Sequence, residues 1–61
     1  MQQYIVFGAL GQCVVSAETW VRAIQAAIEA LGGFAADWTA HRLSSYPAHL
    51  QARLIRDSVA L

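Results

Sequence analysis

The sequence predicts an α+β fold: an N-terminal β-hairpin, a helix, a third strand and a C-terminal helix. Three observations predict it. The run YIVFGALGQCVV, residues 4–15, is dominated by β-branched and aromatic residues and broken by two glycines. Residues 16–31 carry apolar positions at helical spacing with a cap signal at each end. Ser44-Ser45-Tyr46-Pro47 then breaks the chain before a second amphipathic stretch. The alternative is a mostly α-helical protein with one short N-terminal strand.

In the hairpin, Tyr4 to Leu10 form the first strand and Cys13 to Ser16 begin the second. Gly11-Gln12 supply a two-residue turn, with glycine at the first central position as a type II′ turn requires. Gly11 then needs φ > 0. Other readings of this stretch fail on length or motif. A membrane span needs about 20 apolar residues, and Gln12 interrupts a shorter run. Met1-Gln2-Gln3 lacks the positive charge that opens a signal peptide. Leu10-Gly11-Gln12-Cys13 lacks the small residue that a lipobox places before its cysteine. A dinucleotide-binding turn wants its third glycine near position 14, where Val14 stands. A P-loop needs a lysine, and the chain has none.

The first helix takes Ser16 as N-cap, with Glu18 in the first turn and Val15 and Trp20 at the hydrophobic-staple positions. It stops at Gly32-Gly33 after Leu31. Trp20, Ile24, Ala27, Ile28 and Leu31 share one face and form the expected core stripe, Trp20 included. Glu18, Arg22, Gln25 and Glu29 face water. Ala23, Ala26 and Ala30 make a third, smooth face that another backbone can approach closely.

Residues 34–43 alternate as a strand: Phe34, Ala36, Trp38 and Ala40 on one side, with Ala35, Asp37, Thr39 and His41 on the other. Pro47 sits at the N1 position of the last helix, which runs to near the end of the chain. Leu50, Leu54 and Leu61 lie on one side of it, and Ile55, Val59, Ala48 and Ala52 on a second. His49, Arg53 and Arg56 form a polar stripe beside Asp57. Two apolar sides exceed what one small sheet covers.

The 61 residues make one domain and limit the core it can bury. At 57% hydrophobic and 13% charged the chain is too apolar for a disordered tail, and its formal net charge is zero. Zero net charge gives no general attraction to nucleic acid or to an anionic membrane. The lack of Lys and Asn beside abundant Ala fits a GC-rich coding genome, bacterial or phage. One cysteine, Cys13, allows no internal disulfide, so self-association or a partner is the expected source of extra burial.

No catalytic constellation emerges. Cys13 reads as a buried structural thiol with no adjacent base. His41 and His49 lack a metal-ligand spacing. Glu18–Arg22 and Arg53–Asp57 read as i,i+4 pairs on wet helix faces. No catalytic residue, cofactor or metal is expected.

The expected function is therefore a small, cytoplasmic, non-enzymatic binding protein acting by protein–protein contact: a regulator, inhibitor or assembly accessory. A homodimer or larger assembly is expected, with residues 47–61 at the contact. The expected interface residues are Trp38, Arg42, His49, Leu50, Arg53, Leu54 and Arg56. The rival is a small DNA-binding regulator using the arginine-bearing last helix. Its patch of Arg53, Arg56 and Arg42 is thin for phosphate binding.

Overall fold

The computed structural model describes residues 1–61. It contains β1 (Gln2–Gly8), β2 (Gly11–Ala17), α1 (Trp20–Leu31), β3 (Trp38–Arg42), α2 (Ala48–Arg56) and β4 (Val59–Ala60). Short 3₁₀ turns, Ala35–Asp37 and Leu43–Ser45, flank β3. The fold is α+β and begins with a β-hairpin, as the sequence predicts. One mixed sheet runs in the order β3-β1-β2-β4. β1 is antiparallel to both β2 and β3, and β4 joins β2 in parallel. No helix is long and apolar enough to cross a membrane.

This topology dictates two helical layers. β2 and β3 both oppose β1, so they run parallel, and α1 is the crossover between them. α2 is the crossover from β3 to β4, in the opposite direction across the sheet. Keeping one hand for both crossovers requires the helices to lie on opposite faces. The packing agrees. Tyr4, Val6, Cys13, Val15 and Trp38 meet Ala23, Ile24 and Ala27 of α1. On the other face Ile5, Val14 and Leu43 pack with Phe7, Tyr46 and Leu54. Each strand alternates between these layers with the period of two that a pleated strand imposes.

The hairpin turn lies two residues earlier than predicted. Gly8 pairs with Gly11, so Ala9 and Leu10 form the loop and Gly11-Gln12 belong to β2. The register explains the difference. The observed pairing sets Tyr4, Ile5 and Val6 against Val15, Val14 and Cys13. A turn at Gly11-Gln12 would oppose them to Thr19, Glu18 and Ala17. Matching apolar side chains outweighs the local turn signal. Gly11 does have a positive φ, 145°. It adopts it as the first residue of β2, not as part of a II′ turn.

Because β2 continues to Ala17, Ser16 stays in the sheet opposite Gln3 and does not cap α1. Thr19 caps it instead: its hydroxyl accepts the Arg22 N–H at 3.2 Å. Glu18 precedes the helix, and Val15 is buried in the sheet rather than stapled to Trp20. The later start sets Trp20 at the helix entrance, 59% exposed, which corrects its assignment to the core. Ala23, from the smooth face, is fully buried in its place. The backbone that the small residues admit is the chain's own sheet.

Trp38 is 4% exposed and packs into the core on the α1 face of the sheet. Its position rests on a glycine. Gly8 stands opposite it, and a Cβ there would lie 2.4 Å from the indole Cε3 and 2.7 Å from the Asp37 carbonyl oxygen. The indole Nε1–H donates to the Gly32 carbonyl at 3.0 Å, tying β3 to the end of α1. Asp37 closes the intervening turn: its Oδ2 accepts the Phe34 N–H at 2.8 Å and its own N–H donates to the Phe34 carbonyl. The strand expected over 34–43 is thus shortened to Trp38–Arg42.

The last helix is shorter than predicted. Pro47 is its N-cap rather than N1, and it ends at Arg56. Val59–Ala60 then pair with β2, and the Leu61 N–H donates to the Val14 carbonyl at 3.0 Å. Ser58 makes the switch from helix to strand. Its hydroxyl binds the Leu54 carbonyl and accepts Gln12 Nε2 at 2.7 Å. Gln12, far away in sequence, thereby pins the end of α2 to the sheet.

Candidate interaction surface

β3 is the sheet's outer strand on one side. One flank of its backbone pairs with β1, and the other has no strand partner; at its ends the Trp38 N–H donates to the Ala35 carbonyl and the Arg42 carbonyl accepts the Ser45 hydroxyl at 2.6 Å. Native edges are usually guarded by lysine, proline, a bulge or shortness. The opposite edge, β4, is guarded by being two residues long. β3 has five residues, WTAHR, with no proline and a single fully charged side chain, Arg42, at its end.

A groove of about 330 Å³ runs between α1 and this edge. Val21, Ile24, Gln25 and Ile28 line its helix wall at i, i+3, i+4 and i+7 spacing. Trp38 and Ala35 line the side toward β3, and Trp20 is at the helix entrance. The lining is apolar except for Gln25. Trp20 and Val21 are exposed, and Phe34, just before Ala35, is 80% exposed. Exposed aromatic residues beside an unpaired strand edge are suited to contact with another chain.

The remaining expected interface residues are divided. Arg42 closes β3 and is exposed, apart from the others. His49, Arg53 and Arg56 are exposed on α2, while Leu50 and Leu54 are half-buried. Leu54 packs onto the Ile5–Val14–Leu43 cluster, so it belongs to the second layer of the core rather than to a free surface. The single salt bridge joins Arg56 to Asp57 at 3.5 Å, with both side chains exposed. The predicted Glu18–Arg22 and Arg53–Asp57 bridges are not formed. Glu18 lies outside α1, and Asp57 is drawn to its neighbour beyond the last helical turn.

Cys13 is fully buried between Val6 and the α1 layer, and burial pushes its thiol above the ordinary range. His41 points to the α2 face of the sheet, where its ring lies 6.3 Å from that of Phe7 in a tilted arrangement. No three His, Cys, Asp or Glu side chains converge closely enough to hold a metal ion. Sequence reasoning found β3 but not the groove. Ile24 and Ile28 stand in the predicted core stripe with Trp20, and Val21, which completes the groove wall, lies beside that stripe. No family model, curated protein or solved structure matches the chain.

Proposed function

We propose that this chain is a small non-enzymatic binding protein that acts by protein–protein contact in the cytoplasm, as a regulator, inhibitor or assembly accessory. One observation carries the reading: the outer edge of β3 lies open beside an apolar groove rimmed by Trp20 and Val21. An open strand edge offers backbone hydrogen bonds, and the neighbouring groove offers apolar burial. Together they support addition of another chain to the sheet. The unpaired, buried Cys13 suits a reducing compartment. The α2 face gives the DNA-binding rival less support, since it carries only Arg53 and Arg56, with Asp57 beside them, a thin patch for phosphate binding.

Salt and one groove substitution test this reading. An apolar contact changes little between about 50 and 200 mM salt, whereas a phosphate contact weakens steeply. Association of the protein is expected to persist across that range and to be lost in Val21→Asp, which places a charge in the groove. A duplex-DNA shift at physiological salt, abolished by Arg53→Ala with Arg56→Ala, would favour the rival.

A further inference from the structure

We propose that the occupant of the β3 edge is a second copy of this chain, paired antiparallel through β3 to continue the sheet across a two-fold axis. The inference rests on the protein-contact reading above and names its partner. A two-fold axis through the sheet makes edge strands antiparallel and keeps like faces together, so both α1 helices lie on one side. The register that aligns Trp38–Arg42 with its copy centres on Ala40, which opposes itself; the Trp38 N–H stays with the Ala35 carbonyl, so the inner residues carry the new backbone bonds. Trp38 then stands opposite the partner's Arg42, and Thr39 opposite the partner's His41.

Three features make the edge complementary to itself. Its charges are placed for antiparallel pairing: acidic Asp37 immediately precedes the strand and Arg42 ends it. Pairing brings each Arg42 beside the partner's Asp37, at both ends of the seam. Within one chain Arg42 makes no salt bridge. Its apolar surface is also placed correctly. α1 lies across β1, β2 and β3, and its groove opens toward β3. Pairing therefore turns two open grooves toward one slot, filled from both sides by Trp20, Val21 and Ile28. Finally, the chain needs the burial. Only 12 of its 61 residues are buried, a small core for independent stability.

Covalent trapping combined with sedimentation equilibrium tests the proposal. The full-length protein is expected to be a dimer at micromolar concentration. Ala40→Cys should form a disulfide-linked dimer under mild oxidant, because directly opposed strand residues have Cα atoms about 4.5–5.5 Å apart, within disulfide reach. Thr39→Cys, more exposed on the same strand but not self-opposed, should cross-link far less. Arg42→Asp should raise the dimer dissociation constant about tenfold, as two favourable pairs become repulsive. Mixing Arg42→Asp with Asp37→Arg should restore association, since that heterodimer recovers both opposite-charge pairs. A wild-type chain that stays monomeric would overturn the proposal. So would equal cross-linking of both cysteine variants. A dimer cross-linked only through introduced cysteines on α2 would also overturn it, while leaving the protein-contact reading standing. DNA binding by a monomer would overturn both.

Discussion

The indole of Trp38 is the side chain on which the first layer depends, and Gly8 is the residue that admits it. Gly8→Ala is expected to cost about 1–3 kcal/mol, the usual range for an overpacked core. Denaturant unfolding with fluorescence detection measures it, and an unchanged midpoint would contradict the close approach. The two tryptophans separate cleanly. In the monomer, at concentrations well below the dimer dissociation constant, Trp20→Phe should leave a blue-shifted emission that iodide barely quenches, and Trp38→Phe a red-shifted emission that iodide quenches readily. The reverse pattern would return Trp20 to the core. Cys13 gives a pH dependence. Its folded pKa is raised, so the native state keeps a proton that the unfolded chain releases above about 8.5. Its effect on stability is absent below that pH, and stability declines as pH rises through it. A thiol reagent should label Cys13 at the rate of unfolding, and rapid labelling of the native protein would refute its burial.

Between the elements, the two layers differ in strength. α1 buries Ala23, Ile24 and Ala27, whereas α2 buries no residue fully and is pinned by Leu54 and the Gln12–Ser58 hydrogen bond. Gln12→Ala should cost about 1 kcal/mol. It should also speed amide exchange at Val59 and Leu61 while leaving Tyr4–Val6 protected. Uniform acceleration along the chain would show that the layers do not open separately. The same contrast governs what could be read from the sequence. Both strands of the hairpin, the Gly32-Gly33 stop, the strand at Trp38 and the helix after Pro47 were legible, because local pattern and tertiary packing agree there. The turn, the α1 cap and β4 were not. Each depends on a distant partner: Tyr4–Val6 against Cys13–Val15, Gln3 opposite Ser16, and Gln12 on Ser58. The predicted helix stripe holds, with Ile24 and Ala27 buried and Ile28 and Leu31 packed on the core; Trp20 falls outside it as the first residue of α1, because β2 extended to Ala17 is invisible to helical periodicity.

For the whole molecule, the formal net charge is zero and the core is small, so the proposed association rests on geometry, and β3 is the longer of the two sheet edges. A candidate site of this kind was only half legible. Trp38 and Arg42 of β3 could be anticipated, but the groove exists only because the α1 crossover sets Val21 and Ile28 beside β3. Amide hydrogen exchange of Trp38–Arg42 as a function of protein concentration tests the central claim most directly. The solvent-facing amides of β3 should gain protection as concentration rises through the micromolar range, while those of α2 and β4 do not change. Concentration-independent exchange at β3, with new protection confined to α2, would contradict the account.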